Sequence, residues 1–294
     1  MNLNQTILWT AIITPMNRDG SVNYQDFEKL LRMQEKAENG VVLLGSTGEA
    51  LNLDESDRRQ ILDFAFKLGL KIPLMVGVGG INMNETLEWV RHIETLPAHA
   101  YLLVTPLYAK PGRVGQTAWF KNLLDASTRP CMLYNVPSRT GKPMDHNTVL
   151  DLANHKNFWA IKEASGSEAE FSKYRAEAPK AMMMSGDDAL TPAFCRLGGQ
   201  GLVSVASNVW PQETKLFVKK SLDKTLTLDE ERLWAECSNA LFLASNPIPA
   251  KLLMAQLGMI TTPTLRLPLI AEELTDLSPL MSAHARIQEW YRSH

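Results

Sequence analysis

The chain has 294 residues, of which 45% are hydrophobic and 21% charged, and its formal net charge at pH 7 is −2. This composition is typical of a soluble globular protein, and the nearly balanced charge argues against nucleic acid or an anionic membrane as a partner. No apolar run approaches the ~20 residues of a membrane-spanning helix, and the amino terminus lacks the basic segment of a signal peptide. Three widely spaced cysteines, Cys131, Cys195 and Cys237, fit a reducing compartment. We therefore expect a cytoplasmic protein.

Eight apolar segments of strand length follow one another along the chain. They lie at 7–14, 40–45, 72–78, 100–105, 130–135, 158–162, 181–186 and 201–206. The segments are continuously apolar rather than alternating, which is typical of parallel strands covered on both faces. Stretches of helical period separate them. The first stretch is capped by Asn23 and ends at Gly40, and the second has Asp54 as its cap.

Repeated strand–helix units in one chain most simply close into a (β/α)8 TIM barrel, an α/β fold. An open, doubly wound sheet is the alternative. It would be favoured by a G-x-G-x-x-G motif after the first strand, where this chain has ITPMNRDGS. After residue 224 the strand pattern stops, and helical segments punctuated by prolines follow. We predict a barrel domain over 1–224 and a C-terminal helical domain over 225–294.

The active site of such a barrel lies at the carboxyl ends of the strands, so the residues that follow each strand are the candidates for catalysis. These ends supply hydroxyls, phenols, a guanidinium and one amine: Ser46, Thr47, Tyr108, Tyr134, Arg139 and Lys162. The six histidines lie elsewhere, which argues against a metal site and against a serine or cysteine nucleophile paired with histidine. Asp187 and Asp188, whose simplest role is to cap a helix, would repel a substrate phosphate.

Lys162 ends the sixth apolar segment, FWAIK, and has two interpretations. In the first, its stem packs on apolar surface and its head reaches water or a carboxylate. In the second, burial in the barrel mouth favours the neutral amine, which attacks a carbonyl and forms an imine. Tyr134 ends the preceding strand, and adjacent strands lie about 4.8 Å apart, so its phenol can reach the amine. This pairing favours the imine, because imine formation needs an acid and a base beside the reacting carbon.

Ordinary structural interpretations remain open for the other candidates. Tyr134 alone fits a core aromatic residue with a satisfied hydroxyl. The segment GSTGEA at 45–50 fits a capped turn, although its N–H groups and hydroxyls also form a natural cradle for a carboxylate. Arg139 fits either an exposed arginine or a bidentate partner of a substrate carboxylate.

Seven motifs at these strand ends and beyond, in order along the chain, resemble one known family. They are GSTGEA, TPLYAKPG, YNVPSRTG, IKEASG, SGDD, GLVSVASN and NPIPAK. Over most of its length the chain resembles the dihydrodipicolinate synthase / N-acetylneuraminate lyase family of class I, pyruvate-dependent aldolases. The resemblance implies a (β/α)8 barrel with a C-terminal helical extension, a homotetramer or homodimer, and small-molecule substrates. It also implies a covalent imine with pyruvate and no metal or organic cofactor.

The resemblance assigns the chemistry to four side chains. Lys162 corresponds to the lysine that forms the imine, and Tyr134 to the phenol above it. Ser46 and Tyr108 correspond to the other hydroxyls of a proton relay. In this family Tyr108 is expected to reach the active site of a neighbouring subunit.

Pyruvate binding is assigned in the same way. Thr47 matches the residue whose hydroxyl and backbone amide hold the pyruvate carboxylate. Gly186 and Val203 match main-chain positions near the bound pyruvate.

Two residues bear on the subfamily and favour different answers. Arg139 resembles the arginine that meets the carboxylate of aspartate semialdehyde in the synthases, whereas the lyases usually have an apolar residue there. Ser46 resembles the lyases, since synthases commonly have threonine at that place. We predict condensation of pyruvate with L-aspartate-4-semialdehyde to 4-hydroxy-tetrahydrodipicolinate, a step of lysine and diaminopimelate biosynthesis. Cleavage of N-acetylneuraminate or another pyruvate-dependent aldol reaction is the alternative, and a non-catalytic keto-acid sensor is a third.

Feedback inhibition by lysine is expected to be weak or absent. Leu53 and Ser56 stand where members of the family that bind lysine often have histidines.

Overall fold

Eight parallel strands close into a barrel in the computed structural model, which describes residues 2–294. Each strand pairs with its neighbours in sequence, and the last strand closes the barrel against the first. The strands are β1 (Leu8–Ala11), β2 (Gly40–Leu43), β3 (Leu74–Val78), β4 (Ala100–Val104), β5 (Cys131–Asn135), β6 (Phe158–Glu163), β7 (Met182–Ser185) and β8 (Leu202–Ser204). The predicted (β/α)8 fold and its eight strands are confirmed, and the open sheet is excluded.

Helices connect the strands on the outside of the barrel, and further helices follow β8. They are α1 (Tyr24–Lys36), α2 (Glu55–Lys67), α3 (Met83–Ile93), α4 (Arg113–Ala126), α5 (Pro137–Thr140), α6 (His146–Leu152), α7 (Glu168–Glu177), α8 (Thr191–Arg196), α9 (Pro211–Leu222), α10 (Leu228–Ala240), α11 (Ile248–Gln256) and α12 (Ser278–Arg292). As predicted, Asn23 caps α1, because its side chain accepts a hydrogen bond from the Asp26 N–H group at 3.0 Å.

The strands bury both of their faces, which explains why their sequences are continuously apolar. Along β5, Met132 and Tyr134 belong to a cluster inside the barrel, whereas Leu133 belongs to the core between the strands and the outer helices. Along β6, Ala160 lies inside and Ile161 outside. Alternate side chains therefore enter two different apolar layers.

The C-terminal helices pack on the barrel through a cluster of aromatic rings. Trp234 of α10 stacks on Phe217 of α9 with ring centroids 4.3 Å apart, and it meets Trp290 of α12 edge to face at 5.2 Å. The predicted C-terminal helices are confirmed. The predicted boundary at 224/225 falls between α9 and α10. That the two parts are separate domains stays a prediction.

Candidate active site

Lys162 and Tyr134 face each other inside the barrel mouth. The register of β5 and β6 places Tyr134 opposite Lys162. The Lys162 side chain is nearly inaccessible to water, since only 5% of the residue is exposed, and Tyr134 is 7% exposed. The Lys162 Nζ atom lies 4.2 Å from the centroid of the Tyr134 ring. An amine and a phenol are therefore held together in a place from which bulk water is largely excluded.

The interpretation of Lys162 as an ordinary structural lysine does not fit this geometry. A lysine that serves only to cover apolar surface would extend its head into water or pair it with a carboxylate. Lys162 is buried, and within residues 2–294 it forms no ion pair with a carboxylate. A buried amine without a counter-ion is the environment expected of a nucleophilic lysine.

Gly186 brings the backbone after β7 against the Lys162 side chain. A Cβ atom at this position would lie 2.9 Å from Lys162 Cε and 2.7 Å from Ala164 Cβ, closer than such atoms can approach. The Gly186 N–H group donates to the Glu163 carbonyl at 2.7 Å. Val203 of β8 is buried in the interior cluster that also contains Tyr134. Gly186 thus lies against Lys162 and Val203 lies in the barrel interior, and the contact of both residues with pyruvate stays a prediction.

The three hydroxyl groups of the predicted relay lie around two neighbouring cavities. Ser46 and Tyr134 line the same cavity of about 320 Å³, together with Arg139. Tyr108 lines a neighbouring cavity of about 530 Å³, and 87% of this residue is exposed. Within residues 2–294 no hydrogen bond joins the hydroxyls of Ser46, Tyr108 and Tyr134, so the relay stays a prediction.

Thr47 and Arg139 are connected through Asn246, a residue of the segment between α10 and α11. The Asn246 side chain donates from Nδ2 to Thr47 Oγ1 at 2.9 Å, and the Asn246 carbonyl accepts from Arg139 Nη2 at 3.1 Å. Thr47 is buried, whereas Arg139 is exposed. Sequence reasoning gave no role to Asn246, and the only signal for it was its place in the NPIPAK motif.

A buried ion pair holds the turn that carries Ser46 and Thr47. Lys251 of α11 donates from Nζ to Glu49 Oε1 at 2.5 Å, and neither side chain is exposed. Burial lowers the pKa of Lys251, and the neighbouring Glu49 carboxylate opposes this. The backbone N–H group of Arg266 donates to the other Glu49 oxygen at 3.0 Å. This pair was also missed from the sequence, because its partners are 202 residues apart.

Two further carboxyl groups are buried beside the site and fix the strand ends. Glu163 accepts hydrogen bonds from Asn135 Nδ2 and from the Ser165 N–H group, each at 2.7 Å, and burial raises its pKa. Asp188 accepts from Ser204 Oγ at 2.5 Å, and burial raises its pKa to about 6. The predicted capping role is therefore wrong for Asp188, which fastens the end of β8.

The cysteines, the possible metal ligands and the helices can be described briefly. Cys131, Cys195 and Cys237 are all buried with free thiols. Within residues 2–294, no three His, Cys, Asp or Glu side chains are grouped so that they could hold a metal ion. None of the helices described is long and apolar enough to cross a membrane.

A closed (β/α)8 barrel whose strand ends hold a buried lysine against a tyrosine is typical of aldolases that form a Schiff base. The comparison with known families agrees with this class. Residues 4–284 match the model of the dihydrodipicolinate synthetase family, and the chain belongs to that family.

Named relatives match over nearly the full length. The chain is 46% identical over 284 residues to the 4-hydroxy-tetrahydrodipicolinate synthase of Francisella tularensis subsp. novicida, covering 97% of this chain and 96% of the relative. It is 44% identical over 289 residues to the enzyme of the same name from Wolbachia pipientis wMel, covering 98% of each chain.

Solved structures with the same fold include dihydrodipicolinate synthases. The chloride-inhibited enzyme of Acinetobacter baumannii complexed with pyruvate matches with a TM-score of 0.89 at 30% identity, over 96% of this chain and 99% of that one. The enzyme of Cyanidioschyzon merolae with lysine bound matches with a TM-score of 0.90 at 31% identity, over 98% of this chain and 99% of that one.

Proposed function

We propose that this protein condenses pyruvate with L-aspartate-4-semialdehyde to form 4-hydroxy-tetrahydrodipicolinate, the step of lysine and diaminopimelate biosynthesis implied by the name of its relatives. The burial of Lys162 against Tyr134 in a chain that matches such synthases over 97% of its length supports this proposal. The reaction uses a covalent imine with Lys162 and needs no other cofactor.

Imine formation begins with the binding of pyruvate through its carboxylate. Thr47 and nearby backbone amides hold the carboxylate, so that the ketone lies over Lys162. The Nζ atom attacks the ketone carbon to give a carbinolamine, which loses water as Tyr134 delivers a proton to the departing oxygen. Ser46 and Tyr108 pass protons between Tyr134 and the solvent.

Carbon–carbon bond formation follows from the imine. Loss of a proton from the pyruvate methyl group gives an enamine, whose carbon attacks the aldehyde of the second substrate, and the new alkoxide takes up a proton. Arg139 binds the carboxylate of the second substrate through charge-assisted hydrogen bonds. The amine of that substrate then attacks the imine carbon and displaces Lys162, which releases the cyclic product and the free enzyme.

The protein is proposed to act in the cytoplasm as a homotetramer or homodimer. The exposure of Tyr108, 87%, supports the proposal that this phenol is used by a neighbouring subunit rather than its own. Its φ angle of +60° lies in the left-handed region, which is unusual for a bulky side chain.

One residue, Ser46, favours the lyase alternative, and a paired assay distinguishes the two activities. The purified protein is incubated with pyruvate and aspartate semialdehyde, and separately with N-acetylneuraminate, while pyruvate is followed. We expect consumption of pyruvate in the first mixture and no release of pyruvate in the second. Turnover of the sugar acid alone would assign the protein to the lyases.

A further inference from the structure

Asn246 contacts both groups that are expected to bind a substrate carboxylate. Its side-chain amide donates to Thr47 Oγ1 at 2.9 Å, and its backbone carbonyl accepts from Arg139 Nη2 at 3.1 Å. Asn246 is 6% exposed and Thr47 is 3% exposed. Because water is largely kept from the Asn246–Thr47 hydrogen bond, this bond fixes the Thr47 side chain more firmly than an exposed one would.

The direction of that hydrogen bond decides what the Thr47 hydroxyl can do. A threonine hydroxyl has one proton to donate and can accept two hydrogen bonds, whereas an amide NH₂ group can only donate. In the amide orientation of this structure Asn246 Nδ2 occupies a lone pair of Thr47 Oγ1 and leaves the Thr47 proton free, while Asn246 Oδ1 is buried and has no partner within residues 2–294. Within residues 2–294 the Thr47 hydroxyl donates to no protein acceptor. A carboxylate oxygen of a bound substrate is the acceptor that would complete this arrangement.

The segment that carries Asn246 is held in place from its other side. Lys251, which follows on α11, forms its buried ion pair with Glu49, two residues after Thr47. The turn after β2 and the start of α11 are thus joined at two points, Asn246–Thr47 and Lys251–Glu49. Two contacts between the same two segments restrict their relative movement more than one does.

We propose that Asn246 is a positioning residue that directs the Thr47 hydroxyl proton towards the carboxylate of pyruvate. Through its backbone carbonyl it also holds the Arg139 guanidinium. One residue of the C-terminal segment therefore positions a group proposed to bind pyruvate and a group proposed to bind the second substrate. This inference rests on the proposed function, since it takes pyruvate and aspartate semialdehyde as the ligands.

The test compares Asn246→Ala and Asn246→Asp with a matched variant, Thr262→Val. Thr262 also ties the C-terminal segment to the barrel, through a hydrogen bond of 2.8 Å from its Oγ1 to the Met16 carbonyl, but its side chain forms no hydrogen bond with Thr47 or Arg139 within residues 2–294. The variants are assayed for synthase activity, and the thermal midpoint of unfolding shows that each is folded. If Asn246→Ala does not fold, Asn246→Asp, which has the same size, decides the question.

Asn246→Ala is expected to raise the KM for pyruvate about fivefold, the effect of one lost hydrogen bond, with a smaller change in kcat. The KM for aspartate semialdehyde should change less, because the carbonyl that binds Arg139 remains. Asn246→Asp should raise the KM for pyruvate further, since its carboxylate would accept the Thr47 proton and repel the substrate carboxylate. Thr262→Val should leave both KM values near those of the wild type.

A double-mutant cycle then separates positioning from a general structural role. If Asn246 acts through Thr47, Asn246→Ala should have little further effect on the KM for pyruvate in a Thr47→Val background. Additive effects, an Asn246→Asp variant with unchanged KM, or equal behaviour of Asn246→Ala and Thr262→Val would each overturn the inference while leaving the proposed function intact. Absence of synthase turnover in the wild type would instead overturn the proposed function.

Discussion

The absence of a side chain at Gly186 leaves space for the Lys162 amine. The backbone of Gly186 lies so close to Lys162 that an added Cβ would come within 2.9 Å of Lys162 Cε. The opposite side of the amine is occupied by the Tyr134 ring, 4.2 Å from Nζ. Lys162 therefore has little freedom to move aside.

Substitution of Gly186 by alanine should displace the amine from the phenol. Misplacement of a reacting group by about 1 Å costs on the order of a hundredfold in rate, so we expect kcat/KM for pyruvate to fall by tenfold or more. Gly112→Ala is the matched control, because a Cβ at Gly112 meets nothing within 4 Å. Equal activity of the two variants would contradict this account of the Lys162 site.

The inward-facing residues could be predicted from the sequence, and the residues that support them could not. Lys162 and Tyr134 each end an apolar segment, and parallel neighbours in a barrel bring such ends together. Asn246 lies 199 residues from its partner Thr47. Its contact depends on how the C-terminal segment returns over the barrel mouth, and no local pattern encodes that path.

At the scale of the elements, a hydrogen bond between strands β5 and β6 lies directly behind the reactive pair. The register sets Asn135 opposite Glu163, one residue beyond Tyr134 and Lys162, and their side chains are joined at 2.7 Å. Asn135 cannot rotate its amide freely, because its Oδ1 atom accepts from the Met144 N–H group at 2.8 Å. This pair fixes the relative position of the two strand ends.

Glu163→Gln should weaken that connection without changing the size of the side chain. The glutamine carbonyl can accept only one of the two hydrogen bonds made to Glu163, and its NH₂ group would face the other donor. We expect a loss of about 1–3 kcal/mol in the free energy of unfolding and a lower kcat. Denaturant unfolding and steady-state kinetics measure the two effects.

Asn208→Asp provides the comparison on the other side of the barrel. Asn208 donates to the Ala11 carbonyl at 2.9 Å and so ties the region after β8 to β1. Asn208→Asp should also lower the free energy of unfolding, but it should lower kcat much less than Glu163→Gln does. If the two variants lose kcat equally, the β5–β6 connection has no special role in placing the reactive pair.

The number and order of the strands could be predicted from the sequence, because parallel strands buried on both faces give continuous apolar runs. The exact register was not readable, since such runs have no alternation to fix it. Asp188 is an example of a contact that could not be predicted. Its place before a helix predicts a cap, but its side chain is buried and accepts a hydrogen bond from Ser204 at the end of β8.

At the scale of the whole molecule, the exposure of Tyr108 leads to a prediction about assembly. A Tyr108→Phe variant and a Lys162→Ala variant should each be nearly inactive alone. When the two are co-expressed, about a quarter of wild-type activity should return, since half of randomly formed dimers are mixed and each has one complete site of two. No recovery in mixed oligomers would show that Tyr108 does not act across a subunit interface.

The residues Leu53 and Ser56 lead to a prediction about inhibition by lysine. Leu53 is buried and has no hydrogen-bonding side chain, and Ser56 is exposed and shorter than a histidine. We therefore expect lysine to inhibit weakly or not at all in a steady-state assay with both substrates saturating. Half-inhibition at sub-millimolar lysine would contradict this expectation.

The proposed mechanism requires that the Lys162 side chain bonds covalently to pyruvate. Borohydride reduces an imine to a stable amine, so the protein is incubated with pyruvate and borohydride, digested, and its peptides weighed by mass spectrometry. We expect one added pyruvate unit on Lys162, which disappears when Lys162 is replaced by methionine. An unmodified Lys162 in the wild type, or a pyruvate adduct on another lysine, would contradict it.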